Sequence, residues 1–430
     1  MASSGRCGVK RYKAVTVPAD KKTDVKNTDS PATLKRSLSL PMLVLYGLGT
    51  TIGAGIYALI GEVAGVAGMA SPFSFLIAAL IAGFTAFSFA ELSARFPRSA
   101  GEAHYVQQAT GLSALSTTIG LMVVFAGAVS SAAISNAFVG YLHEFFDLPR
   151  AAAIVAIVLA IGLLAAWGIA QSVIVAGILT VVEIGGLALV IWAGGDNLVD
   201  LPEALPEMWP GVGAVAWSSV LAGAILAFYA FIGFEDMINV AEETRDASRT
   251  LPLAIIITLI VTTLFYMAIS LVSVLSVPVS ELAAHEAPLA LVYERGSGGS
   301  AQFLSLIGIV AILNGALVQV IMASRVLYGL SDQGQLPAFL GRVNATTRTP
   351  LIATAVVVGA VLILALWFRL AGLAEATSSI TLAIFTIVNA ALVRIRLRDG
   401  KPAEGVCYPL IIPILGFVLS LAFLIVGLLG

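Results

Sequence analysis

The chain has 430 residues, of which 59% are hydrophobic and only 11% charged, with a formal net charge of −2. A soluble domain carries roughly 25% charged residues, so this composition excludes a soluble enzyme and predicts a polytopic membrane protein. The small net charge says nothing about partners, because the charges are segregated along the chain.

Nine of the 23 Lys and Arg fall in residues 1–40, from Arg6 to Arg36. That polar, apolar-poor leader, residues 1–38, is expected to be a disordered basic cytoplasmic tail. A cleaved signal peptide would place its apolar core nearer the start. Asp20, Asp24 and Asp29 dilute the positive charge and argue against nucleic-acid binding. A membrane span needs about 20 apolar residues. On that measure eleven segments follow, near 40–69, 72–95, 112–142, 151–168, 171–194, 214–243, 251–277, 302–330, 351–368, 371–395 and 410–429. Basic loops set the orientation. Arg95 and Arg98, Arg245 and Arg249, Arg342 and Arg348, and the run Arg394, Arg396, Arg398 and Lys401 share one side with the tail. The N-terminus is therefore expected in the cytoplasm of a plasma (inner) membrane protein, with the C-terminus outside. An amphipathic stretch, Ala103 to Gln108, leads into the third segment. A-P-L-A-L-V-Y-E-R, within 279–300, predicts a short half-buried helix over the outer mouth. Cys7 and Cys407 both fall on the cytoplasmic side, so no disulfide framework is implied.

The first segment contains G-L-G-T-T-I-G-A-G-I-Y, from Gly47 to Tyr57. Four glycines and two threonines make a poor helix interior, each glycine costing up to about 1 kcal/mol relative to alanine. One explanation is close packing on a neighbouring helix. The other is a break lining a cavity, since unwound backbone is tolerated in a membrane only where it faces protein or water. A second break of the same kind, F-I-G-F-E-D at Phe231–Asp236, favours the latter. Paired interrupted segments point to a transporter's substrate site. Segments 1–5 and 6–10 each begin with such a break, which suggests a five-plus-five internal repeat. Unwinding around Thr51, Ile52, Gly53, Ala54 and Gly55 would free amide donors for a carboxylate. Freed carbonyls at Thr51, Tyr229 and Ile232 would take an ammonium group. The physics by itself specifies a small zwitterion or anion.

Four motifs in order add a resemblance: G-T-T-I-G-A-G-I-Y (49–57), F-A-E-L-S-A-R-F-P-R-S-A-G (89–101), F-I-G-F-E-D-M-I-N-V-A-E-E-T-R-D (231–246) and A-S-R-V-L-Y-G-L-S-D-Q-G-Q-L-P (323–337). Over about residues 35–430 the chain resembles the amino acid–polyamine–organocation superfamily of permeases, near its bacterial branch of cationic amino acid transporter-like members. The resemblance implies an all-α membrane protein with a five-plus-five inverted-repeat transporter fold and interrupted helices 1 and 6. Its repeats would cover 39–195 and 213–396, within a transmembrane domain spanning 39–430 and ending in an extra helix at 409–430. It also implies that the Ala54 and Gly55 amides hold a substrate carboxylate, that the Thr51, Tyr229 and Ile232 carbonyls hold its amino group, and that Phe231 or Phe234 acts as an aromatic gate. The chain departs from the pattern in lacking a twelfth span, in reading Gly101-Glu102-Ala103-His104-Tyr105 where G-G-A-Y is usual, and in carrying Glu183 where several members carry lysine.

Ionisable residues inside spans are functional candidates. Glu183 is read as a proton-coupling site, with a packing role as the competing explanation. Glu235 could serve as a proton relay, as a substrate-facing acid or as a cap for the following half-helix. Glu91 and Arg95, one turn apart, predict a structural or gating ion pair. Asn136, Asn314 and Gln319 are read as interhelical hydrogen-bonders. His104, His143 and His285 are scattered, so no metal site is expected. No nucleophile–base constellation or nucleotide fingerprint is present, so neither catalysis nor a cofactor is expected. The reading is a secondary transporter that carries an amino acid and protons through the lipid bilayer by alternating access, with symport preferred over exchange. A sensor or channel on the same scaffold is the reading from another class.

Overall fold

The computed structural model describes residues 38–98, 101–167, 172–211, 214–344, 346–347, 349–402 and 405–429. The expected basic tail, apart from Leu38, lies outside the described residues, as does Cys7. Helices α1 (Leu40–Ala67) and α2 (Ser71–Arg95) come first, then a short α3 (Gly101–Thr110). They are followed by α4 (Ser113–His143), α5 (Arg150–Trp167) and α6 (Ser172–Gly194). A short α7 (Leu201–Met208) leads into α8 (Ala214–Tyr229), which breaks and resumes as a 3₁₀ segment, Phe234–Glu243. The remainder is α9 (Ala247–Ser276), α10 (Val279–Ala284), α11 (Pro288–Ser297), α12 (Ala301–Asp332), α13 (Leu351–Trp367), α14 (Leu370–Asp399) and α15 (Ile411–Leu429). Eight apolar runs among the described residues are long enough to cross a membrane, the first covering both α1 and α2, and the shorter α5 and α13 join them. Counted helix by helix, these are the eleven expected segments, and the protein is an all-α membrane protein.

Small residues explain how the helices approach one another. The inner face of α2 presents Ser71, Ser74, Ala78, Ala82 and Thr85 at helical spacing, all buried, while Leu76 and Leu80 point outward. Lipid tails are as apolar as leucine, so close packing of small residues and interhelical hydrogen bonds drive association. Asn389 of α14 illustrates the second term. Its amide donates to Thr85 Oγ1 at 3.0 Å and its carbonyl accepts from Ser88 at 2.6 Å.

The two halves follow one order: a broken helix, two long helices, a short fourth and a longer fifth. The fourth helix has 18 residues in the first half and 17 in the second. Each half also inserts short helices ahead of its third span, α3 in one and α10–α11 in the other. The third span, α4, is the long helix expected, and its amphipathic approach is a separate short helix, α3. Gly111, at φ 72°, separates α3 from α4.

Contacts define one basic face. Leu38 bridges Thr244, and Leu38 O accepts from the Arg245 amide at 3.0 Å. Arg95 donates to Gly400 O at 3.3 Å, and Arg398 to Gln108 O at 3.1 Å. Of the segments whose charges were placed together by sequence, Leu38 thus meets Arg245, and the end of α2 and α3 meet the end of α14. At the opposite face, the predicted helix over the mouth is present as α11, preceded by α10.

Candidate functional site

α1 does not unwind over Gly53–Gly55, as the sequence led us to expect. It stays helical and bends at Gly53, with φ −28° and ψ −138°. Two hydroxyls just before the bend fold back on the same carbonyl: Thr50 and Thr51 donate to Gly47 O at 2.9 and 2.8 Å. Such back-bonding competes with the helix ladder and bends it. The other glycines serve packing. A Cβ on Gly47 would meet Met237, one on Gly49 would meet Thr180, and one on Gly55 would stand 2.6 Å from Ala230 Cα. At Gly53 nothing is nearer than 3.7 Å.

The second break is complete. After Tyr229 the backbone makes tight i→i−3 turns, Ala230 N to Ala227 O, Phe231 N to Phe228 O and Ile232 N to Tyr229 O, at 3.0–3.2 Å. Gly233 then adopts φ 127°, a conformation that side chains disfavour. The chain continues as the 3₁₀ segment Phe234–Glu243, itself kinked at Val240 with φ −103° and ψ 16°. Glu235 Oε2 accepts from the Gly233 amide at 2.9 Å, so the capping role is realised.

Two adjoining cavities lie at the breaks, one bordered by both and the other by the second break alone. One is lined by Thr50, Thr51, Gly53, Gly55, Tyr229 and Ile232, among others. The second is lined by residues that include Glu102, Glu235, Asp236, Met322 and Phe385. Ser130, Ile232 and Gln319 border both. Their volumes are about 20 and 30 Å³. A water occupies at least about 10–15 Å³ on this measure, so each holds one to three waters and neither holds an amino acid. Ligand entry therefore requires the surrounding helices to part.

Five expected site residues, Thr51, Gly53, Gly55, Tyr229 and Ile232, thus meet at one cavity, and Glu235 lies in the next. Others do not join them. Ile52 is fully buried away from both cavities. Phe231 and Phe234, expected as gates, are also buried and line neither. Phe231 packs on Tyr266 at 5.0 Å between ring centroids, and Phe234 packs on Phe89 and Phe385. The Thr51 and Tyr229 carbonyls are not open either: the Tyr266 hydroxyl lies 2.8 Å from the first, and the Ile232 amide donates to the second at 3.2 Å.

Sequence reasoning missed three contributors. Asp236 is buried beside the cavity and accepts from Gln319 Nε2 at 3.0 Å. Glu102 reaches the same cavity from α3. Tyr229 is held by Ser130, hydroxyl to hydroxyl, at 3.0 Å. The double acid in F-E-D was a usable signal for Asp236.

Glu183 sits apart from both cavities, fully buried on α6. Asn314 Nδ2 of α12 donates to its Oε1 at 3.0 Å, and its Oε2 has no partner among the described residues. Tyr57 of α1 donates to the Glu183 backbone carbonyl at 2.7 Å. The side chain therefore stands where α1, α6 and α12 meet, just past the bend.

The expected Glu91–Arg95 pair forms at 2.7 Å and is part of a larger cluster. Arg396 of α14 approaches the same oxygen at 3.2 Å, and the Tyr408 amide donates to the other at 3.1 Å. Arg396 also holds the Tyr408 carbonyl at 2.7 Å and contacts the Cys407 thiol. This cluster ties α2, α14 and the approach to α15 together at the basic face. Arg396→Ala is expected to lower stability by about 1–3 kcal/mol, the worth of buried charge-assisted bonds. A thermal-shift measurement in detergent checks this, and an unchanged melting temperature would show the cluster to be incidental.

Near the start of α11 a reciprocal arrangement ties it to the end of α4. His143 Nδ1 lies 2.9 Å from Glu286, and His285 lies 3.9 Å from Glu144. Two His-Glu dipeptides, one ending α4 and one preceding α11, thus pair crosswise. Among the described residues no group of acids, histidines and cysteines is arranged to hold a metal ion.

The chain was compared with known proteins. It is 29% identical over 403 residues to cationic amino acid transporter 4, vacuolar, of Arabidopsis thaliana, an alignment covering 89% of this chain and 67% of that protein. It is 29% identical over 386 residues to cationic amino acid transporter 3, mitochondrial, of the same plant, covering 84% and 63%. With the branched-chain amino acid permease of Bacillus subtilis it shares 29% identity over 400 residues, covering 86% and 83%. The chain therefore spans about two thirds of the plant relatives' length. The amino acid permease family profile matches residues 38–430, nearly the whole described chain. A match over residues 38–430, in a chain with two interrupted helices, shows that the protein belongs to the amino acid permease family.

Proposed function

We propose that the protein is a secondary active transporter that carries amino acids across the plasma membrane by alternating access, with protons as the coupling ion and the N-terminus in the cytoplasm. The observation that carries this reading is the convergence of both helix breaks on one small cavity. Thr50, Thr51, Gly53 and Gly55 of α1 line it together with Tyr229 and Ile232 at the α8 break, the placement that a clamp for the charged ends of an α-amino acid requires. The repeats are taken as 39–195 and 213–396, with 409–430 outside them.

The relatives' names divide between cationic and branched-chain substrates, and the neighbouring cavity favours the former. Glu102, Glu235 and Asp236 border it. Met322, Ile384 and Phe385 offer apolar surface for an aliphatic stem. A cationic side chain would extend from the clamp toward these carboxyls, and a branched one would leave them without a counter-charge.

Uptake into proteoliposomes tests the proposal. Labelled L-arginine, L-lysine and L-leucine are offered with an imposed pH difference, and saturable accumulation of the cationic pair is expected. Binding without accumulation would indicate a sensor, and non-saturating flux a channel. Uptake that needs internal substrate and ignores the pH difference would indicate exchange. Arginine amide and Nα-acetylarginine are expected to compete at least about tenfold more weakly than arginine, since each lacks one charged end of the clamp. Equal competition by both would rule out recognition of the two free groups.

A further inference from the structure

The hydroxyl of Tyr266, in the second half of α9, lies 2.8 Å from the Thr51 carbonyl oxygen and 2.8 Å from that of Ala230. Thr51 precedes the bend of α1, and Ala230 opens the break after α8. These are the two interruptions that enclose the candidate site. The Tyr266 ring is fully buried, held edge-on by Phe75 at 6.0 Å and Phe231 at 5.0 Å, and lines neither cavity.

A phenol has one proton to donate. Two carbonyls at equal distance cannot both receive it, so Tyr266 satisfies one and holds the other as an alternative. The same arrangement recurs a few residues away. Thr50 Oγ1 lies 2.9 Å from Gly233 O in the α8 break and 2.9 Å from Gly47 O in its own helix. Each bridge between the interrupted helices is thus one hydroxyl with two acceptors. When the helices part, each proton keeps a partner: Thr50 falls back on Gly47, and Tyr266 stays with whichever carbonyl moves with it. Separation then leaves fewer buried groups unsatisfied than breaking two ordinary bridges would.

We propose that Tyr266 is a positioning residue which, with Thr50, forms a releasable clasp between the interrupted helices and so sets the geometry of the substrate clamp. The proposal rests on the transport reading above. It also accounts for Phe231, which supports the Tyr266 ring in place of gating the cavity.

Tyr266→Phe removes the hydroxyl and keeps the ring. In proteoliposomes carrying labelled L-arginine or L-leucine, whichever the wild type takes up, the expected result is an apparent KM raised about tenfold, the worth of one buried hydrogen bond. Vmax is expected to stay within about twofold, because the clasp acts on ground-state geometry. Adding Thr50→Val is expected to raise KM by more than the two single effects multiplied, since the bridges back each other up. A lowered melting temperature with unchanged KM would show the tyrosine to be merely structural and overturn the proposal. A second arm needs no substrate: deuterium exchange in peptides covering 50–57 and 227–236 is expected to quicken at least about tenfold in Tyr266→Phe. If the wild type carries neither probe, the transport reading fails, and this arm decides the clasp by itself. Unchanged exchange in both peptides overturns it.

Discussion

Gly233→Ala is expected to abolish uptake and to lower the melting temperature sharply. Gly233 has φ 127°, where an L side chain strains the backbone. A residue forced into such a region costs about 1–3 kcal/mol. The position is also crowded. An alanine Cβ would stand 2.4 Å from the Thr50 carbonyl oxygen, 2.7 Å from the Thr50 carbonyl carbon and 3.1 Å from Thr51 Cα. These are backbone atoms of α1, so a rotamer change cannot relieve the overlap and the whole helix must retreat. Overpacking of this kind adds about 1–3 kcal/mol. The retreat would pull Thr50 off Gly233 and widen the space between the breaks. Gly359→Ala in α13 is the control, since a Cβ there meets nothing within 4 Å. It is expected to leave uptake unchanged and to stabilise the helix by up to about 1 kcal/mol. Uptake in proteoliposomes and thermal shift in detergent measure both variants. Near-normal uptake by Gly233→Ala would mean that the close approach of the two breaks does not matter to the site.

The spans were legible because twenty apolar residues in a row have few alternatives. Each of the eleven predicted segments lies within a few residues of its helix. The break at Gly233 was legible too, because a glycine beside two acids cannot continue an apolar helix comfortably. The break at Gly53 was overread. Helix propensity charges every glycine alike, but Gly47, Gly49 and Gly55 are small because Met237, Thr180 and Ala230 come close, and only Gly53 departs from helical angles. Close packing and unwinding leave the same residue in the sequence. Phe231 and Phe234 were misplaced for a related reason: outside regular helix there is no period from which to read the direction of a side chain. The Glu91–Arg95 pair followed from its spacing. Arg396 and Tyr408, some 300 residues on, joined it only through tertiary packing. Asp236 and Glu102 went unranked because neither reaches a cavity until α3 and the 3₁₀ segment are folded beside α12.

Glu183→Gln is expected to separate transport from the pH difference that drives it. The argument begins with cost: an ionised carboxylate at mid-membrane is disfavoured by at least about 2.5 kcal/mol. Glu183 has one hydrogen bond, from Asn314, and a second oxygen without a partner among the described residues. A proton on that oxygen removes the charge, and its loss restores it, so the energy of this junction changes with each transfer. The junction joins α6 to α12 through Asn314 and to the bent α1 through Tyr57. Charge appearing there biases how these helices pack, and coupling requires such a bias. Glutamine keeps the shape and an oxygen for Asn314, but it cannot take up or release a proton. The variant is expected to fold, bind substrate and exchange labelled for unlabelled substrate. One proton per substrate under a difference of one pH unit supports at most about tenfold accumulation, since one unit corresponds to 1.36 kcal/mol. In Glu183→Gln that ratio is expected to fall to about one. Glu235 is the rival, because it borders the cavity with Asp236 and Glu102. Its Oε2 is engaged with the Gly233 amide, and glutamine can supply an oxygen in the same place. Glu235→Gln is therefore expected to shift substrate affinity while retaining pH-driven accumulation. The assignment is reversed if Glu235→Gln loses accumulation while Glu183→Gln keeps it, and a wild-type protein that ignores the pH difference would leave Glu183 as a packing residue between α6 and α12.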